Sequence, residues 1–552
     1  MSTSDDRVES LVDDYLARRV NRSQFLRRAA GLGLSLPAAS AILAACGGGG
    51  GGGGASGTTE VKTAGAAGTL KVRLVNDISI LDPAFYPSSA DEEVANSINE
   101  GLVTYKPGTF EVVNQLAETF TPHADGLAFD FTLKKGIPFH KNFGEVTAED
   151  VKFSYERIAD PQNNAPYRGD WSTLKEVVVK DTHSGTIVLK KPFAPLMHST
   201  LPVGSGWVLS KKAVTELGKK YATHPIGSGP YEFVSWTPKQ KVVLRLFKDY
   251  GGASSAFLGK PAWSEIQAIP IDADSAADIA LETGSIDFAQ ISLPGVDRFK
   301  ANNAFAVHEQ PTLDYQWIGI NMLHPKLKDI RIRQAIRYAI DVPAILVAAF
   351  DGKWKRANAI LPPNMGTGYW ADAPVYDRDV AKAKGLLQQA GVSNLSLTLQ
   401  YTEQTGSKDL VQVAQQNLAD VGIQVALKQV DSASFYTLGK GLRDRELFFV
   451  GYVTEPDPYW SFIWFTCSQF DQWNWMYWCD KQFDSLNNSA TGELDKAKRS
   501  QMYVEMQKLW DAAAHTVWIA YPTIPFGAKK SIQAAISPHG RFYPYAFKPT
   551  SA

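Results

Sequence analysis

The chain reads as an α/β protein built in more than one lobe. Two observations predict this. Strand and helix signatures alternate along most of its 552 residues, and that length exceeds what a single hydrophobic core organises. Leu70, Val72 and Leu74 alternate with Lys71 and Arg73, the period-2 pattern of a strand with one buried face. Residues 186–189 and 242–247 carry similar patterns. Thr147-Ala148-Glu149-Asp150 is a capping-box pattern, opening a helix whose Val151, Tyr155 and Ile158 share one face. Asp329 is expected to cap a second helix, in which Ile332, Ala335, Ile336, Ala339 and Ile340 recur at spacing three and four. Asp377 and Gly391 bracket a third, around residues 381–387. There is no internal repeat, and order is expected to begin near Thr69.

The N-terminus sets the compartment. Arg18, Arg19, Arg22, Arg27 and Arg28 form a positive region, and residues 29–45 are apolar or small without an ionisable side chain. That stretch is too short and glycine-rich for a comfortable membrane span, so residues 1–46 read as an export signal. Leu43-Ala44-Ala45-Cys46 closes it and looks like a bacterial lipobox, in which the Cys46 thiol carries a lipid that holds the mature chain at a membrane surface. Residues 47–68, with eight consecutive glycines at 47–54, read as a flexible linker because polyglycine loses the most backbone entropy on ordering. The same run argues against an ordinary buried helix ending in an unmodified cysteine. Asn21-Arg22-Ser23-Gln24-Phe25-Leu26-Arg27 resembles a twin-arginine export motif with Ser23 at the second arginine position, and the general secretory route stays open beside it.

Composition narrows the function. Lys+Arg 56 against Asp+Glu 57 leaves a net charge of -1, which gives no electrostatic case for a nucleic-acid partner. With Cys46 lipidated, Cys467 and Cys479 remain as an even pair in an oxidising compartment, and a disulfide is favoured over a zinc site that would have only two thiols and no histidine beside them. Among nine histidines there is no HExxH, and there is neither a GxxxxGK loop nor a GxSxG elbow. Gly227-Ser228-Gly229-Pro230 has proline where a phosphate loop needs a donor. Asp91-Glu92-Glu93 reads as a solvated helix face. No catalytic residue, metal or cofactor is assigned, and the weight moves from catalysis towards binding. The segment 459–478 holds ten aromatic rings, including five of the 14 tryptophans; these either fill a core or line a cleft on which a ligand stacks.

Longer motifs identify a relationship. The stretch from Asp125-Gly126 through Phe129-Asp130-Phe131-Thr132-Leu133-Lys134-Lys135-Gly136-Ile137-Pro138-Phe139-His140 to Val151-Lys152-Phe153-Ser154-Tyr155 is followed by Gly227-Ser228-Gly229-Pro230-Tyr231. Leu281-Glu282-Thr283-Gly284-Ser285-Ile286-Asp287, Asp329-Ile330-Arg331-Ile332-Arg333-Gln334-Ala335 and Ala339-Ile340-Asp341 come next. In this order they resemble the solute-binding proteins of bacterial ATP-binding-cassette importers that include oligopeptide-, dipeptide- and nickel-binding members, over nearly all of residues 69–552. The resemblance implies a type II periplasmic-binding-protein fold with two lobes, a hinge and an extra subdomain. Lobe I would combine 69–103, 226–310 and 522–552, the extra subdomain 104–225, and lobe II 311–521. It implies an extracytoplasmic, lipid-anchored, monomeric binder that closes around a solute and presents it to a membrane permease. The Cys467 and Cys479 pair resembles a disulfide loop of dipeptide-binding members.

Ligand positions carry over unevenly. Tyr86, Pro87, Ser88 and Ser89, after Leu81-Asp82-Pro83, match a segment that lines the cleft; the alternative is a plain surface loop. Peptide binders place an aspartate for the peptide's amino group shortly before a segment like Glu455-Pro456-Asp457-Pro458-Tyr459. Here that position is Tyr452, with Phe449 nearby and Trp460 following. A hydroxyl cannot replace a carboxylate as counter-charge for a buried ammonium. Glu455 or Asp457 offers a substitute, or both serve the turn beside Pro456 and Pro458. Arg443 and Arg445 are weaker candidates for an anionic ligand. A peptide held mostly through its backbone is the leading solute, an oligosaccharide or other non-peptide solute the challenger, and an extracytoplasmic hydrolase the remote alternative. For the anchor, Cys46→Ser is expected to release the protein from membranes in cell fractionation while leaving solute affinity unchanged; a substituted chain that stays membrane-bound contradicts the lipobox.

Overall fold

The computed structural model describes residues 67–550. The export signal, Cys46 and most of the glycine linker lie outside the described residues. Two large mixed sheets and a smaller antiparallel one organise what is described. The seven-stranded sheet runs Phe305–Pro311, Thr523–Lys529, Phe288–Gln290, Ala67–Leu74, Trp263–Pro270, Lys241–Leu246 and Tyr231–Thr237. Its first strand in sequence sits in the middle, parallel to both neighbours. This central position corrects the one-faced reading of that strand. Arg73 is 1 % exposed, because its guanidinium donates to the carbonyls of Ile271, Asp272 and Gln290 and to Asp274 at 2.7 Å. A charge is tolerated there only because every donor direction is met.

The six-stranded sheet runs Lys355–Arg356, Thr516–Tyr521, Tyr315–Ile320, Leu447–Tyr452, Leu395–Tyr401 and Ile423–Gln429. Helices Ile330–Ala339, Val342–Phe350 and Ser407–Asp420 cover one face, where Ile318, Leu397, Leu447 and Phe449 join Ile332, Ile336 and Leu410 in a core. Asp329 caps the first of these helices, accepting from the Arg331 amide. The opposite face is aromatic: Tyr315, Trp317, Phe448 and Tyr452 pack with Phe462, Phe465, Trp475, Trp478 and Trp510. The third expected helix is Val380–Gln389, and its cap is Asp379, not Asp377. Asp379 accepts from the Lys382 amide, whereas Asp377 pairs with Arg356.

A four-stranded antiparallel sheet, Ala117–Pro122, Ala128–Leu133, Ser184–Leu189 and Leu174–Asp181, carries the helix Ala148–Ala159 with the expected capping box at Thr147 and Asp150. Glycines join this unit to the seven-stranded sheet. A Cβ at Gly227 would lie 1.9 Å from the Ile98 carbonyl oxygen, so the segment read above as no phosphate loop is a point of close backbone approach.

The two large sheets are linked where adjacent strands change sheet. Phe305–Pro311 ends in one and Tyr315–Ile320 begins in the other; Thr516–Tyr521 and Thr523–Lys529 do the reverse across Pro522. The crossings lie side by side, the Thr312 amide donating to the Pro522 carbonyl at 3.0 Å.

The aromatic segment divides. Phe462, Phe465, Trp475, Tyr477 and Trp478 are buried, while Tyr459, Trp460, Trp464, Phe470 and Trp473 keep some surface. Cys467 and Cys479 form the disulfide, 12 residues apart, and closing a loop of that size removes roughly 3 kcal/mol of unfolded-chain entropy. Asp457 anchors the front of the segment to the helix Lys496–Ala512: Arg499 grips it through two hydrogen bonds of 2.7 Å, with its remaining donors on the Ala490 carbonyl and Tyr503. Both side chains are almost wholly buried. Removing one partner of such a pair strands the other charge, so Asp457→Ala is expected to lower stability by about 3–5 kcal/mol, seen as a large fall in melting temperature. A double replacement of Asp457 and Arg499 by apolar residues of similar size is expected to recover most of it.

Candidate ligand-binding site

The helix Ser89–Ala95 begins at Ser88, whose hydroxyl caps the Asp91 amide. Asp91, Glu92 and Glu93 follow, and all three are buried, which overturns their reading as a solvated face. The preceding loop explains why this helix lies inward. Arg157 holds Asp82 through two hydrogen bonds of 3.0 and 2.7 Å, and Asp91 accepts the amides of Ser79 and Ile80 at 2.6 and 3.0 Å. Folded back in this way, the chain presents Glu92 and Glu93 to the interior rather than to water.

Facing them is Arg541, from the C-terminal segment. Its Nε lies 3.7 Å from Glu92 Oε2 and makes no hydrogen bond. The electrostatic neighbours of Arg541 are Glu92, Asp314, Glu455 and Glu93. These come from both sides of the strand crossings: Asp314 sits at the first crossing, and Glu455 follows the strand Leu447–Tyr452 of the six-stranded sheet. The Thr454 amide donates to Asp314 Oδ1 at 3.2 Å, tying the Glu455 loop to the crossing. Asp170, on the subdomain, contributes a further buried carboxyl; Ser205 donates to one oxygen at 2.5 Å and the other has no partner.

Carboxylates therefore outnumber cations here, and the protonation states reflect it. Burial, with the neighbouring Glu92 charge, raises the Glu455 carboxyl to about 8. Asp314 is raised to about 6 and Asp170 to about 7, each mainly by burial, and Glu93 lies well above the usual carboxylate range for the same reason. His539, 4 % exposed and stacked at 5.7 Å on Phe110, has no partner for either ring nitrogen, and burial lowers it to about 3.

The sequence-derived candidates distribute as follows. Tyr86 belongs to this neighbourhood: its ring packs at 4.9 Å on Tyr167, and Glu92, Glu455 and Asp170 act on its hydroxyl. Pro87 is exposed, and Ser88 and Ser89 are half-buried, with Ser88 engaged as a helix cap. Trp460 lies at the boundary with the subdomain, its indole N–H donating to Ser199 at 3.1 Å. Glu455 is half-buried, and its carboxyl makes no hydrogen bond or ion pair among the described residues. Three expectations need correction. Phe449 is 0 % exposed on the helix-covered face of its sheet, because alternation along the strand sends it away from the cleft. Tyr452 is buried among aromatics and donates to the Trp473 carbonyl at 2.7 Å. Asp457 is committed to Arg499. Arg443 is likewise occupied, by Asp471, and Arg445 is buried against Phe435 and Trp475.

Residues 92, 93, 170, 314, 539 and 541 escaped sequence reasoning. Their only local signal is Ser88 as a cap placed to turn the next acidic residues inward; nothing in the C-terminal His539-Gly540-Arg541 distinguishes it from a surface turn. No group of three or more metal-ligating side chains occurs among the described residues, and none of their helices is long and apolar enough to cross a membrane.

Comparison with known proteins agrees with this architecture. Residues 111–473 match the family described as bacterial extracellular solute-binding proteins, family 5. The glutathione-binding protein GsiB of Shigella flexneri is 26% identical over 486 residues, covering 85% of this chain and 91% of its own; that of Pectobacterium atrosepticum is 27% identical over 470 residues, covering 83% and 89%. Among solved structures, the periplasmic binding protein DppA of Helicobacter pylori in complex with the peptide STSA has a TM-score of 0.75 at 24% identity, covering 88% of this chain and 99% of that one. The substrate-binding protein CtaP of Listeria monocytogenes has a TM-score of 0.78 at 22% identity, covering 88% and 100%. The two-sheet architecture is thus the type II periplasmic-binding-protein fold, and the chain belongs to family 5 of the bacterial extracellular solute-binding proteins, the capture components of ATP-binding-cassette importers.

Proposed function

We propose that the protein is an extracytoplasmic lipoprotein that captures a peptide-like solute between its two lobes and delivers it to a membrane permease. The observation that carries this reading is the polar cluster itself. Its groups come from both lobes and meet beside two adjacent strand crossings, so a solute bound there touches both lobes and favours their closed arrangement. Relatives named for glutathione, the peptide STSA and Met-Leu give peptides the first place among solutes. Tyr86, Ser88, Ser89, Glu455 and Trp460 are the residues proposed to line the site. Cys46 would supply the anchor and the glycine linker the freedom to close near the permease, working as a monomer at high effective concentration.

The half-exposed Trp460, Trp464 and Trp473, with ring centroids 6.3 and 5.7 Å apart in succession, favour a second reading in which sugar rings stack on them. Titration calorimetry with mixed short peptides and with oligosaccharides separates the two. Heat from peptides alone is expected; heat from a glycan with none from peptides overturns the peptide assignment, and turnover of the bound solute would make the protein an enzyme.

The raised carboxyls also give lobe closure a pH dependence. Glu455 faces Glu92, Asp170, Asp314 and Arg541 in the assembled cleft, where it titrates at about 8 against an ordinary 4.5. The closed form therefore holds more protons than an opened, hydrated one. Its stability is full below about 4.5 and is lost as pH rises through about 8. Small-angle scattering of the solute-free protein is expected to give a larger radius of gyration at about pH 8.5 than at about pH 5; an unchanged radius contradicts this.

A further inference from the structure

The charge balance of the cleft indicates what part of a solute it selects. Glu92 and Glu93 from the first lobe, and Asp314 and Glu455 from the crossing and the second lobe, converge on one guanidinium, that of Arg541. The nearest of them, Glu92, stands off at 3.7 Å. A satisfied arginine would use its fork on a carboxylate at hydrogen-bond distance, as Arg499 does on Asp457. Here the guanidinium is shared and the carboxylates remain in excess.

A second observation is independent of the acidic groups. His539 is 96 % buried beside Arg541, and both of its ring nitrogens lack partners. A neutral imidazole offers one donor and one acceptor, and burying both unmet is costly unless something else supplies their partners. Glu93 Oε2 is buried and unpartnered in the same way. The aspartate position expected to hold an amino group is occupied by Tyr452, which is turned into the aromatic core.

We propose that the cleft recognises a positively charged group of its solute, an ammonium or guanidinium, by clasping it between Glu92 of the first lobe and Glu455 of the second, with His539 as an additional acceptor. The cation then acts as the closing element. Without it the two lobes bring like charges together; with it each carboxylate gains a shared partner, and closure becomes favourable only around a cationic solute. This rests on the solute-binding reading above and refines it: a neutral or purely anionic peptide of equal size is a poor ligand.

The test uses the lipid-free mature chain and two probes: a mixture of tripeptides containing Gly, Ala, Ser, Leu, Phe and Lys with free amino groups, and the same mixture with every amine acetylated. Native mass spectrometry reads which peptides stay bound. Retention of free-amine peptides at least about tenfold above acetylated ones is expected, the scale of a charge-assisted hydrogen bond lost. Glu455→Gln and Glu92→Gln, each near-isosteric and checked for an unchanged melting transition, are expected to reduce that ratio towards one. Equal retention of both mixtures by the wild type overturns the cation clasp while leaving peptide binding intact. An undiminished ratio in both folded variants also overturns it, by placing the selective group elsewhere. Retention of neither mixture removes the peptide reading and the clasp with it.

Discussion

The organisation of this protein turns on a charge imbalance: one guanidinium, Arg541, stands among carboxylates supplied by both lobes. Elsewhere in the molecule buried charge is neutralised locally and completely. Arg73 has a ring of carbonyls and Asp274, and Arg499 has Asp457. Those sites are architecture, and their saturation leaves nothing for a ligand. The cleft differs in being incomplete, with His539, Glu93 and Asp170 each carrying a buried polar atom that no protein group meets. An interior that pairs its charges so thoroughly in two lobes, and leaves them unpaired only between them, is arranged for a third participant.

The fold makes that participation mechanical. Each lobe keeps its own core, one sheet covered by helices and aromatics, the other centred on the strand Ala67–Leu74. The connection at Thr312 and Pro522 is narrow and hydrogen-bonded side to side, so the lobes can rotate without disturbing either core. Asp314 lies at this junction and reaches the Glu455 loop through Thr454. Recognition and hinge are thus adjacent, and energy gained on a solute acts with a short lever. The Asp457–Arg499 pair and the Cys467–Cys479 disulfide stiffen the loop behind Glu455, which keeps the carboxyl in place while the lobe moves.

Much of the fold was legible because its signals are local. The capping box at Thr147 and Asp150, the cap at Asp329 and the apolar spacing after it all reappear in the structure. The disulfide followed from counting thiols. What failed depended on neighbours distant in sequence. Arg73 looked solvent-facing until strands from residues 263–270 and 288–290 enclosed it. Asp91-Glu92-Glu93 looked solvated because acidic residues usually are, and only Arg541, some 450 positions later, supplies the countercharge that lets them turn inward. Phe449 and Tyr452 were assigned to the cleft by motif position, but the strand's alternation and its flanking layers decide which way each side chain points. A two-lobed site assembled from remote segments leaves little trace in any one of them.

The claim on which the account rests is that solute binds between the lobes and draws them together. Spin labels on the exposed Lys384 of the second lobe and Lys530 of the first, each replaced by cysteine, report that separation directly by pulsed dipolar spectroscopy. The account predicts a broad distance distribution in the solute-free protein at neutral pH that narrows and shifts when the solute co-purified from the native host is added. An identical distribution with and without a solute shown to bind would contradict it.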